Sequence, residues 1–207
     1  MPFPNAPGIS AAFTAVICLR APVGSVRTGC PLEIVLDNLA LFRTMDVSLA
    51  AIVPHKEAAL ALAADRLSER AGMAYEDVKA ALAAREALGP TALGRGIALP
   101  HALARECRQP ACALVGLARP VDFNAPDGIG VDVVLALIWP ESAAEGFVRQ
   151  TSLLGRILFD PVVLDAVRAE TAPGRIRSLF HSRAGALAPA GLPGDRMAGH
   201  VAGLPRP

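Results

Sequence analysis

Two apolar runs of strand length, Cys112–Ala118 and Val131–Ile138, constrain this chain most. Neither shows the polar alternation of a strand with one face in water, so each must be covered on both faces. The cover is present in the pattern. Ala59, Leu60, Ala63 and Leu67 recur at helical spacing within 55–70, and Val78, Ala81 and Leu82 do so within 75–88. Phe147, Thr151, Leu154 and Leu158 fall on one side of a later helix, with further helices expected over 161–169 and 173–180. Leu36, Leu39, Ala40 and Phe42 suggest a short helix. Leu49–Val53 reads as a first strand before Pro54, and Ile97–Leu99 as a short one before Pro100. The order β-α-α-β-β-β-α-α-α implies an α/β fold, a three-layer α/β/α arrangement around a mixed sheet.

The segment with the most chemistry is Thr91-Ala92-Leu93-Gly94-Arg95-Gly96-Ile97-Ala98-Leu99-Pro100-His101. Pro100 fixes its own φ and has no N–H, so the strand should stop there and leave His101 at its mouth. A neutral imidazole is a competent nucleophile toward phosphorus when one ring nitrogen is free and a hydrogen bond holds the other. The resulting phosphohistidine is dianionic and needs donors. Gly94 and Gly96 can bring backbone N–H groups close to an anion, Thr91 adds a hydroxyl and Arg95 a charge. A Pro-His pair alone would be read as a surface histidine after a turn.

The wider context changes that reading, because Thr91, Gly94, Gly96, Ile97, Ala98, Leu99, Pro100 and His101 resemble the active-site motif of the enzyme IIA domains of the bacterial phosphotransferase system, mannitol/fructose/nitrogen-regulatory type. A second block, Arg119 to Pro140, is similar to that family's P-I-D-F-x-A-x-D-G-x-P-V turn and the strand after it. Ala84-Arg85-Glu86 is similar to the family's Arg-Glu pair, whose arginine lies near the active histidine. The resemblance runs from about Leu36 to about Phe180. It implies that His101 accepts a phosphoryl group from a histidine-containing phosphocarrier protein, with Arg85 beside it and Thr91, Gly94, Arg95 and Gly96 supporting the phosphate. It implies no cofactor and no metal. A regulated transporter, a kinase or an enzyme IIB is the further class of partner. With no permease or carrier domain attached, a nitrogen-regulatory role is expected over a sugar-specific one.

Two positions depart from the family. Ala102 stands where the family often has glycine. More seriously, the family's second histidine, in a His-Leu pair a few residues after the proline that closes the central strand, is here Phe147 followed by Val148. That removes a donor from the phosphate site. The alternative reading is therefore a binding module that regulates a partner without accepting phosphate.

Composition limits other classes. The net charge of +1, with no basic stripe, gives no nucleic-acid footprint. Only two of the 20 basic residues are lysine, Lys56 and Lys79, a bias that suits GC-rich codons. No apolar run reaches the roughly 20 residues needed to span a bilayer, so no direct membrane insertion is expected. Ile9–Leu19 is a weak hydrophobic stretch without a preceding positive charge, and Arg27 spoils a lipoprotein reading of Thr28-Gly29-Cys30. A cytoplasmic protein with thiols is expected, so Cys18, Cys30, Cys107 and Cys112 should not pair. His101, Cys107 and Cys112 match no common zinc spacing. His55, His181 and His200 lie outside the motif. The expected division is a disordered leader over 1–33, one domain over 34–182 and a disordered tail over 183–207.

Overall fold

The structure, a computed structural model, describes residues 40–187. After a helical turn at 40–43 the chain forms β1 (Asp46–Ala51), α1 (Lys56–Ala71), α2 (Tyr75–Ala87), β2 (Ala92–Gly94), β3 (Ile97–Ala98) and β4 (His101–Ala104). It continues with β5 (Ala111–Val121), β6 (Val131–Pro140), α3 (Ala144–Leu158), α4 (Pro161–Ala169) and α5 (Pro173–Leu187). Local chemistry sets several helix ends. His55 Nδ1 accepts from the Ala58 N–H at the start of α1, and Gly72, at φ 65°, closes it with a bond back to the Glu69 carbonyl. Asp160 caps α4 through the Val162 N–H, just ahead of Pro161.

The sheet order is β1-β5-β6-β3-β2, with β4 also paired to β6. β1 runs parallel to β5, β5 antiparallel to β6, β6 parallel to β3 and β4, and β3 antiparallel to β2. The sheet is thus mixed, as expected, and helices cover both faces. Val134, Ala136 and Ile138 of β6 join the core under α1 and α2, while Val133, Leu135 and Leu137 join the core under α3, α4 and α5. That two-sided burial is what the run Val131–Ile138 encodes. Its one polar residue, Asp132, is held by the Arg168 guanidinium at 2.8 Å from α4.

Five details differ from the sequence reading. The first strand is Asp46–Ala51, three residues earlier than Leu49–Val53, and Ile52 stands 85% exposed. Polar Asp46 and Ser48 hid this start, yet both pair with β5, opposite Ala113 and Val115. The strand expected to stop at Pro100 resumes at His101 as β4, and β2 is an additional short strand. β5 extends past Ala118 to Val121, through a register shift between Gly116 and Val121 that accommodates Pro120. The last helix runs on to Leu187, beyond 182, because Ala184 is buried and Arg183 pairs with Asp160 at 3.3 Å. The expected leader over 1–33, and the tail from 188 onward, lie outside the described residues.

Leu135, fully buried in the central strand, should be costly to truncate. Leu135→Ala is expected to lower stability by about 3 kcal/mol through lost transfer energy and a residual cavity. Ile52→Ala should stay within about 0.5 kcal/mol, because Ile52 lies beyond the strand. Denaturant unfolding of the two variants checks both, and equal losses would contradict this strand boundary.

Candidate functional site

Backbone pairing delivers the histidine. Ile97 and Ala98 stand opposite Val133 and Val134 of β6, and His101 and Ala102 stand opposite Leu137 and Ile138. The register is the same on either side of the Leu99–Pro100 break, so β3 and β4 are one strand with an interruption. Across it, the Leu137 N–H donates to the Pro100 carbonyl at 2.9 Å, while the Leu99 N–H donates away from β6 to the Thr91 carbonyl at 3.0 Å. Proline suits position 100 because it has no N–H to leave unpaired. The Leu99 carbonyl is left for a side chain, and His101 Nδ1 lies 2.7 Å from it.

That contact sets the tautomer. A carbonyl oxygen only accepts, so Nδ1 carries the hydrogen and Nε2 keeps its lone pair. Arg85 Nε donates to Nε2 at 3.2 Å, and Arg85 Nη1 donates to the Gly89 carbonyl at 3.1 Å. Burial pushes the imidazole pKa below the ordinary histidine value of 6.5; the Leu99 hydrogen bond opposes this and the Arg85 charge adds to it. The ring is therefore neutral near pH 7, with its nucleophilic nitrogen aimed at a guanidinium.

Ala102 and Ala104 face the core under α1 and α2, so by strand alternation His101 and Leu103 face the side of α3. There the Phe147 ring sits 5.6 Å from the His101 ring, inclined by 52°. Phe147 is half-buried, and Val148 next to it is exposed. Phe147 thus lies against His101.

Arg85 comes from the opposite layer, at the end of α2, and a buried carboxylate fixes that end. Glu86 is 8% exposed and accepts from the Thr91 N–H at 3.0 Å and the Thr91 hydroxyl at 2.5 Å; its other oxygen faces Lys56 Nζ at 3.4 Å. The buried stripe is Val78, Leu82 and Glu86, with Arg85 at its border. The four-residue spacing of those three was the available signal for Glu86.

The structure does not bring all expected site residues together. Thr91 is buried and its hydroxyl is engaged by Glu86, so it positions Arg85 and does not face an anion. Gly94, Arg95 and Gly96 form the tight turn between β2 and β3, at φ 88°, 58° and 79°. That turn precedes Ile97 while His101 follows Pro100, which at about 3.3 Å per residue separates them by about 15 Å. Its polar groups are already paired: the Arg95 N–H donates to Asp127 at 2.7 Å, the Arg95 carbonyl accepts from Arg168 at 2.8 Å, and a Cβ at Gly96 would lie 2.6 Å from both Asp132 Oδ1 and Arg168 Nη2. There the glycines serve turn geometry and close packing. Cys107 and Cys112 belong to the cores on opposite faces of the sheet, both with free thiols. His55 caps α1, His181 belongs to α5, and His200 lies outside the described residues.

The site is thus a neutral histidine presented to an arginine at a strand break of a three-layer α/β/α domain, and comparison gives the family. The chain belongs to the family described as phosphoenolpyruvate-dependent sugar phosphotransferase system, EIIA 2, which matches residues 40–181. It is similar to a nitrogen regulatory protein of Pseudomonas aeruginosa, 40% identical over 88 residues, which are 42% of this chain and 57% of that one. A nitrogen regulatory protein of Bradyrhizobium diazoefficiens is 33% identical over 128 residues, 62% of this chain and 84% of that one. Among solved structures, nitrogen regulatory protein IIA-Ntr of Neisseria meningitidis superposes with a TM-score of 0.60 at 26% identity, covering 66% of this chain and 94% of its own. The Escherichia coli enzyme IIA of mannitol, solved in complex with phosphorylated enzyme IIB, shares the fold at a TM-score of 0.56 and 20% identity, covering 66% and 94%.

Removing Arg85 takes away a cation and a donor that both disfavour protonation of Nε2. Arg85→Ala should therefore raise the His101 titration midpoint, while the unaltered chain titrates below about 6.5. Imidazole proton resonances followed against pH check this. A midpoint unmoved by the substitution would remove Arg85 from the site.

Proposed function

We propose that His101 is a phosphoryl carrier that takes its group from a histidine-containing phosphocarrier protein and serves a regulatory, nitrogen-type role. One observation carries the reading: Nε2 is unprotonated, its lone pair aimed by the Nδ1–H bond to Leu99 and received by the Arg85 guanidinium. In the transfer the Nε2 lone pair forms the new N–P bond while the donor's P–N bond breaks. The electron pair of that bond leaves with the donor nitrogen, and Nδ1 keeps its proton on the Leu99 carbonyl. Arg85 supplies charge stabilisation to the phosphoryl oxygens, the kind of contribution that dominates phosphoryl transfer. The Leu103 and Val148 side chains beside this ring are exposed and apolar, which suits a docking surface for a protein donor.

The regulatory role is supported by the similarity to nitrogen regulatory proteins. A second class of partner, receiving the group or sensing it, would be a regulated transporter, a kinase or an enzyme IIB; the E. coli mannitol enzyme IIA meets such a IIB. Among the described residues no helix is long and apolar enough to cross a membrane, in keeping with a cytoplasmic site of action. The second reading, a regulatory module that accepts no phosphate, is favoured by Phe147, which places a hydrocarbon ring where the family has a donor.

Incubation with phosphoenolpyruvate and the upstream phosphocarriers separates the two. The carrier reading expects a gain of about 80 Da that is lost in acid and absent from His101→Ala. No gain, with a folded chain, favours the module. In the carrier reading Phe147→His should raise the transfer rate roughly tenfold, the weight of one hydrogen bond to a charged group of about 1.5 kcal/mol. Lower stability with no faster transfer would show that Phe147 serves packing alone.

A further inference from the structure

We infer that Gln150 on α3 is a hydrogen-bond donor to the phosphoryl group on His101, in the role left open by Phe147; the inference rests on His101 as the acceptor. Gln150 is the only polar residue among those α3 buries, at 1% exposure, and its Nε2 is shut from solvent with no partner among the described residues. A buried amide with nothing to donate to is costly, and a leucine would fill the position without that cost.

The path of α3 places this amide. At one end Phe147 lies against His101; just past the other, the Phe159 ring lies 5.9 Å from the Arg95 guanidinium. Twelve helical residues at about 1.5 Å each span about 18 Å. Six strand residues, from Arg95 to His101, span about 20 Å at about 3.3 Å each. The two spans agree, so α3 runs antiparallel along the β3–β4 strand. Gln150 is three residues beyond Phe147, on the same helical face and about 4.5 Å further on, level with Leu99 and Pro100. Helical side chains lean toward the helix N-terminus, which turns this amide back toward His101.

The chemistry fits a phosphoryl group in particular. Nδ1 of His101 is bonded to Leu99 and Nε2 to Arg85, so the resting ring has no acceptor left for an amide. A phosphoryl group on Nε2 would bring three acceptor oxygens and a charge close to −2. Arg85 alone is a single positive charge. An amide donor held dry beside that group would share the load, and its orphan state at rest becomes a prepared one.

The test uses the full chain and phosphoramidate, a small phosphoryl donor whose ammonia leaves with the electron pair of its P–N bond, so that no partner protein is required. The Gln150 side-chain amide resonance should shift on phosphorylation of His101 and return when acid removes the group. Gln150→Leu should be phosphorylated roughly tenfold more slowly, with an unfolding midpoint equal to or above that of the unaltered chain. An unmoved amide resonance and equal rates would overturn the Gln150 role while leaving His101 as carrier. No phosphate on His101 from this reagent would overturn both, whereas phosphate from phosphoramidate but not from the phosphocarrier would count only against the protein donor. If Gln150→Leu fails to fold, the amide resonance in the unaltered chain decides the matter.

Discussion

The site depends on a single interruption in a strand that otherwise keeps its register along β6. At Leu99–Pro100 the chain leaves the ladder for one residue, and the Pro100 carbonyl rejoins it through Leu137. On the edge turned away from β6, the Leu99 carbonyl is left free of the sheet and lies within 2.7 Å of the imidazole that follows it. From this one acceptor follow the Nδ1–H tautomer, the lone pair on Nε2 and the orientation of the nucleophile. Gly96 and Pro100 face β6 and Leu99 faces the other way, where the Thr91 N–H that could have bonded its carbonyl is taken by Glu86. A longer break would have lost the pairing that holds His101 opposite Leu137.

The second arm of the site comes from the opposite layer. Arg85 sits where α2 ends, and its position is secured by Glu86, whose carboxylate binds both the N–H and the hydroxyl of Thr91. Thr91 in turn accepts from the Leu99 N–H, so the histidine arm and the arginine arm share a residue. Burial works for the chemistry in two ways: it keeps the imidazole neutral, and it strengthens the pull of the guanidinium on any anion formed there. The Phe147 ring, 5.6 Å from the imidazole, adds hydrocarbon to this environment. The result is a site with one cation, one nucleophile and a buried amide one helical turn away.

The fold was legible where periodicity had room to repeat. The runs around β5 and β6 and the stripes of α1, α2 and α3 gave the layers, and motif resemblance gave His101, Arg85 and Phe147. Short strands were not legible: β2, β3 and β4 are three, two and four residues long, too brief to show a period. β1 was misplaced because Asp46 and Ser48 stand in a strand without looking like one. Gly94 and Gly96 misled for another reason. A glycine pair serves a phosphate loop and a tight hairpin turn equally well, and only the facing residues, here Asp127 and Asp132, tell which. Glu86 and Gln150 escaped because a charged or amide side chain on a buried stripe is read as its edge, whereas tertiary pairing puts both inside.

The central claim is that the Leu99 carbonyl fixes the tautomer of His101, and nitrogen chemical shifts of its imidazole measure that directly. In the unphosphorylated chain near pH 7, Nδ1 should show the shift of a protonated, pyrrole-type nitrogen and Nε2 that of an unprotonated, pyridine-type one. The reverse assignment, or a pair of averaged shifts from a freely exchanging ring, would mean that the Leu99 carbonyl does not hold the imidazole and would contradict the account.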